Sequence, residues 1–284
     1  MRVARSRDLV AEGYPVSAVA RAARISRQAL YRRPTPRTVP QRHPARDPVE
    51  LAIVEIAKAN QTDGYRMVTA FVRRKLGVAV NRKRVLRVMR ERKLIQRRRP
   101  LARRKRPGFF RVERPRQLWQ LDLTAVWVAE HGWTYLMAMI DCCTREIVAW
   151  QLELRCRADE AITLVERAVA VHAIGPGELT LGSDNGSAFT ARRFRARLVE
   201  LGIRHRRGGY RDPESQAFIE SWFGKLKERE VWLNEYETLD DARRGIGGYV
   251  DRYHHRPHSG LNYRTPHDVR QTWEDLQGLQ KHAA

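Results

Sequence analysis

The sequence predicts an α+β fold preceded by small all-α domains. Three observations carry this. From residue 117 three strand-like runs follow one another across short turns. Beyond them helical and short extended segments alternate. Before residue 96 the apolar spacing is helical and the charge strongly positive, so the front of the chain is built differently from the rest.

Residues 118–128 alternate, with Leu121, Leu123, Val126 and Val128 as the apolar positions. His131-Gly132 makes a turn, and residues 134–140 are nearly all apolar, as in a central strand. Thr144-Arg145 turns into a third strand over 146–154, completing an antiparallel meander. Residues 159–172 place Ala161, Leu164, Val165, Ala168 and Val169 on one helical face. Residues 179–181 form a short strand, 189–201 a helix, 203–206 a strand and 215–232 a last helix. The order β-β-β-α-β-α-β-α is that of a ribonuclease H-like core with a mixed five-stranded sheet.

In the front part, residues 7–12, 18–23 and 27–33 read as short helices, with Ser17 and Ser26 as caps. They fit a helix-turn-helix whose last helix offers Arg27 and Gln28 to a DNA groove. A small basic hairpin without sequence readout fits equally. Residues 35–48 are Pro-rich and read as a linker. Three further helices follow, over 49–59, 67–76 and 82–93, with Asn81 capping the third. Val85, Val88 and Met89 point inward there, and Arg82, Lys83 and Arg87 outward. The expected domains are 1–34, linker 35–48, a helix-turn-helix domain 49–95, an arm 96–116, a core 117–273 and a tail 274–284.

Charge separates the two parts. The chain has 55 Lys+Arg against 32 Asp+Glu in 284 residues. Residues 1–116 hold 33 of the basic and 8 of the acidic residues, and the remainder is almost neutral. The basic part suits a polyanion, because neutralising phosphates releases condensed counterions. Arg97, Arg98, Arg99, Arg103, Arg104, Lys105 and Arg106, broken by Pro100 and Pro107, read as an extended arm tracking DNA. The three cysteines form no C-x-x-C, which argues against a zinc site and fits a reducing cytoplasm. No apolar run reaches membrane-spanning length, so the expectation is a cytoplasmic, nucleoid-associated protein.

Three carboxylates stand out. Asp122 interrupts a strand in Trp119-Gln120-Leu121-Asp122-Leu123-Thr124, where Asp is disfavoured. Asp184 follows a strand in Ser183-Asp184-Asn185-Gly186-Ser187, a sequence that also suits an Asx turn. Glu220 lies 35 intervening residues further on, and helical spacing puts it on one face with Gly224 and Lys227. Three converging carboxylates can hold two metals about 3.5–4 Å apart for an in-line phosphoryl displacement. Asp141 is a fourth acid, read as structural. His254, His255 and His258 are read as core or DNA contacts, since Arg256 and Pro257 interrupt them.

Residues 117–273 resemble the integrase core of insertion-sequence transposases. The matching pieces are the three carboxylate segments, Gly132-Trp133-Thr134-Tyr135-Leu136, Ile140-Asp141 with Thr144-Arg145-Glu146-Ile147-Val148, and Tyr253-His254-His255-Arg256-Pro257-His258-Ser259-Gly260-Leu261 with Thr265-Pro266. Residues 43–95 resemble the helix-turn-helix before this core in the second reading frame (OrfB) of the insertion sequence three family. The stretch 212–219 departs from that family's commonest pattern, and the His/Cys zinc module of retroviral integrases is missing.

The resemblance implies a DDE transposase with Asp122, Asp184 and Glu220 as catalytic metal ligands for two Mg²⁺ or Mn²⁺ ions. Lys227 is its basic DNA contact. It further implies nicking of element ends and joining of 3′-hydroxyls to target DNA without a covalent protein–DNA intermediate. The partners implied are double-stranded DNA, further copies of the chain, and a first-reading-frame (OrfA) protein or frameshift fusion. A repurposed, non-catalytic DNA-binding copy and a ribonuclease H-like nuclease without strand transfer are the rival readings.

Overall fold

The computed structural model describes residues 2–31, 47–95, 112–208 and 216–282, with side chains to 278. It divides into two compact units, 1–46 and 47–284. In the first, helices α1 (Arg2–Ala11), α2 (Val16–Ala23) and α3 (Arg27–Tyr31) enclose Val19, Ala20 and Leu30. Arg7 ties α1 to α3 by donating to the carbonyls of Leu30 and Ala29, each at 3.0 Å. The sequence placed the start of α1 too late and the N-cap of α2 at Ser17. Pro15, with its fixed φ, occupies the N-cap of α2 instead. Arg27 and Gln28 are exposed on α3.

The second unit opens with α4 (Pro48–Ala59), α5 (Tyr65–Leu76) and α6 (Arg82–Glu91) around Ile53, Val68, Val72, Val85 and Met89. Asp47 caps α4 by accepting the Val49 N–H at 3.0 Å, and Asn81 caps α6 by accepting that of Lys83 at 2.8 Å.

A five-stranded sheet follows: β1 (Leu118–Val128), β2 (Gly132–Asp141), β3 (Ile147–Glu153), β4 (Thr180–Ser183) and β5 (Arg204–Arg207), in the order β3-β2-β1-β4-β5. The first three strands are antiparallel, whereas β1–β4 and β4–β5 are parallel. Alternation along β1 feeds two cores. Trp119 and Leu121 pack under α7 (Ala158–Val171) and α9 (Arg192–Glu200). Val126 and Val128 pack on the opposite layer, formed by α10 (Ala217–Arg229) and α11 (Leu239–His254).

The expected helix over 189–201 is broken: α8 (Ser187–Thr190) stops at Ala191, whose ψ of 138° is extended. The expected helix to 232 ends at Arg229, and Val231–Leu233 forms a 3₁₀ turn. Two helices were not foreseen, α11 and α12 (Pro266–His282). Gly245, Gly247 and Gly248 disguise α11, since glycine weakens a helix by about 1 kcal/mol. Packing supplies the reason for two of them. A Cβ at Gly245 would lie 2.9 Å from the Tyr236 ring, and one at Gly247 3.3 Å from Trp150.

The end of α11 makes the fold acid-sensitive. His254 Nε2 accepts the Ile147 N–H at 3.1 Å, and His258 Nδ1 accepts that of Gly260 at 3.1 Å. Burial holds both imidazoles neutral, lowering each to about 4. A depressed folded value means stability present above the unfolded value near 6.5 and lost as pH falls through the folded one. Urea unfolding at pH 7 and pH 4 is expected to differ by roughly 5 kcal/mol on account of this pair. That part of the difference should vanish in a variant with both residues replaced by Gln.

Candidate active site

Register brings the first two carboxylates together. The last paired rung of parallel strands β1 and β4 is Leu121 with Ser183. Asp122 and Asp184 are the next residue on each, on strands about 4.8 Å apart. Asp122 belongs to the sheet layer that faces α10, as does Gln120 two residues before it.

Gln120 is the residue that sequence reasoning missed. Fully buried, it accepts the N–H groups of Phe218 and Ile219 at 3.2 and 3.1 Å. These are orphan donors in the first turn of α10. The bond clips the start of α10 to β1 two residues from Asp122, and Glu220 is the next residue along the helix. A buried Gln between Trp119 and Leu121 was the available signal.

Asp122 senses the other two carboxylates. Asp122 is raised to about 6, chiefly by burial. Its bond from the Leu123 N–H (2.7 Å) opposes the rise, Asp184 and Glu220 add to it, and Lys227 opposes it. Asp184 and Glu220 are exposed. The Asx turn expected at Asp184 is present, with one carboxylate oxygen accepting the Gly186 N–H at 2.9 Å. Turn and site are therefore not alternatives, because the bond uses only one of the two carboxylate oxygens. Gly224 lies exposed between Glu220 and Lys227, and a Cβ there would meet nothing within 4 Å.

All donors here are carboxylate oxygens, which suit a hard divalent cation such as Mg²⁺ or Mn²⁺. Their mutual repulsion at Asp122 is what such a cation would relieve. Among the described residues no three His, Cys, Asp or Glu side chains stand as a closed metal-holding group. The set thus fits the ion in the chemistry of its donors.

The other candidates divide. Asp141 is structural: buried, it accepts the Trp119 indole N–H and the backbone N–H groups of Arg116, Cys143 and Thr144. On α6, Lys83 is exposed and Arg82 lies over the Tyr263 ring at 5.5 Å. Arg87 departs from its expected outward position. It is half-buried between Glu50 at 3.8 Å and Glu91 at 3.6 Å, because the α4–α6 contact puts a buried carboxylate beneath it. Arg97, Arg98, Arg99, Arg103, Arg104, Lys105 and Arg106 lie outside the described residues. Arg204, Arg206 and Arg207 expose a basic edge on β5 beside Asp184, which its reading as a short strand had passed over. No helix among the described residues is long and apolar enough to cross a membrane.

Comparison with known proteins defines the class. Integrase core domain families match residues 112–213 and 201–266, and an HTH-like domain family matches 44–105. The chain thus carries an integrase core and an HTH-like domain, a combination consistent with a second-reading-frame (OrfB) transposase of the insertion sequence three family. It is 28% identical to transposase InsD for insertion element IS2-9 of Escherichia coli K12, over 94% of this chain and 92% of that one. It is 29% identical to the transposase for insertion sequence element IS904 of Lactococcus lactis, over 56% of this chain and 63% of that protein's length. Among solved structures, the HTLV-2 integrase catalytic core domain in complex with magnesium aligns with 55% of this chain and 96% of its own, at 17% identity and TM-score 0.42.

Proposed function

We propose that this protein is a metal-dependent DNA transposase that nicks element ends and joins the freed 3′-hydroxyls to target DNA. The observation that carries the reading is the meeting of Asp122, Asp184 and Glu220 from two adjacent strands and the helix clipped to them. Bound by these carboxylates, Mg²⁺ or Mn²⁺, as two ions, would supply charge neutralisation at the attacking and leaving oxygens. The chain's own residues do the positioning. Gln120 and the β1–β4 register hold the carboxylates in place, Gly224 leaves a clear path for the strand, and Lys227 offers it a cation. In this reading water and then the 3′-hydroxyl are the attacking groups, with no covalent protein–DNA intermediate. The HTH-like region, with Lys83 exposed on α6, supplies duplex contacts together with the basic residues 97–106. Assembly of several copies on paired ends, with a first-reading-frame partner or fusion, completes the proposal.

The test is an end-processing and strand-transfer assay on DNA carrying the element's own ends. Wild type is expected to give nicks and joined products with Mg²⁺ or Mn²⁺ and none with EDTA. Asp184→Asn is expected to bind the same DNA and give neither product. DNA binding by wild type without any nick, even with the first-frame partner added, would favour a non-catalytic DNA-binding protein.

A further inference from the structure

Three motifs far apart in sequence close around one small cavity that the carboxylate site does not use. Its volume is about 40 Å³, and its lining includes Arg145, Phe218, Ser221, Trp222, Lys225 and His258. Among the described residues no carboxylate lines it. Such a space admits a few water molecules or one compact oxyanion, not a base or a sugar.

The lining is rich in donors that lack acceptors. The Arg145 guanidinium lies 3.2 Å from the centre of the Phe218 ring, and its buried Nη1 has no hydrogen-bond partner. Trp222 is 1% exposed, and its indole N–H is likewise without an acceptor. Lys225 has neither an ion pair nor a hydrogen bond among the described residues. Since His258 Nδ1 accepts the Gly260 N–H, its Nε2 carries the hydrogen of the neutral ring.

The nearby acids among the described residues are already engaged. Asp141 accepts four N–H groups, and Asp63 is held by Arg229 and Arg256. Burial lowers Lys225, and Arg229, Arg256 and Arg145 lower it further, with only Asp63 opposing. Two cations and two neutral N–H donors gathered with no anion among the described residues make a costly arrangement for a protein interior unless an anion joins them.

We propose that this cavity binds a backbone phosphate of the DNA strand held at the carboxylate site. Ser221 connects the two places, being exposed, part of the cavity lining and next to Glu220 on α10. Arg145 and Lys225 supply the charge, with Trp222 and His258 as additional donors. This rests on the DNA transposase reading for its ligand but not for its chemistry.

The experiment is salt-dependent binding of a duplex by the full chain, wild type against Lys225→Met, together with melting temperatures in inorganic phosphate and in chloride at equal ionic strength. The variant is expected to keep or raise the melting temperature in chloride, because it removes an unpaired, desolvated charge. Its slope of log K against log salt is expected to be shallower by about one, the loss of one phosphate contact. A lower melting temperature with an unchanged slope would make Lys225 a packing residue and overturn the proposal. An unchanged slope alone would also overturn it. Lys225→Gln carries the same comparison if the Met variant does not fold. If wild type binds no DNA, the transposase reading fails and the phosphate comparison decides. A phosphate-induced rise present in wild type and lost in the variant would keep the anion site, and its absence would end it.

Discussion

Glu220→Gln is expected to lower metal-dependent strand cleavage by on the order of 10³-fold or more, leaving DNA affinity unchanged and the melting temperature unchanged or slightly raised. That fall corresponds to about 4 kcal/mol of barrier. The amide keeps the shape of the side chain and removes its charge. Glu220 is exposed, and its carboxylate contributes to raising Asp122, so in the resting protein it repels a neighbour. Loss of activity at constant or increased stability is the signature of a group placed for chemistry at the fold's expense. The measurement is a cleavage time course on prenicked and intact ends, with calorimetry on the same samples. A melting temperature lowered by several degrees would indicate instead that Glu220 supports α10, and the lost cleavage would then say little about the metal.

Much of this site was legible because the chemistry carries its own local signals. Asp122 interrupts an apolar alternation, Asp184 follows a strand, and Glu220, Gly224 and Lys227 share helical spacing. Each can be read within a few residues. The strands and their turns were legible for the same reason, since a period of two survives in short runs. What was not legible depends on partners remote in sequence. Gln120 looks like a polar residue in a strand until α10 arrives 98 residues later. Gly245 and Gly247 weigh against a helix by propensity alone, and their reason is visible only once Tyr236 and Trp150 occupy the space a side chain would fill. Arg87 reads as a surface cation until Glu50 lies beneath it. In each case a tertiary contact decided the role and local propensity did not.

Asp63 is the strongest such case, and replacing it with Ala is expected to destabilise the second unit by about 3–5 kcal/mol. Its side chain is only 2% exposed in the turn between α4 and α5. One oxygen is 3.0 Å from the Arg229 guanidinium, at the end of α10, and the other is bonded by Arg256, which also lies 5.3 Å from the centre of the Phe71 ring. Removal leaves two guanidinium groups, 17% and 19% exposed, with nothing to balance them. The exposed Arg74–Asp268 pair joins the same two regions at 2.6 Å and is worth far less, about 0–1 kcal/mol. Gln120 fixes the first turn of α10 and Asp63 its last, so the helix bearing Glu220 is tied at both ends, once to the sheet and once to the HTH-like region. Urea unfolding checks the magnitude. Because the cost is one of unpaired charge, Asp63→Leu combined with Arg229→Met and Arg256→Met should recover most of it. A single Asp63→Ala variant losing under about 1 kcal/mol would mean that water already screens the pair, and that the clamp is a surface contact.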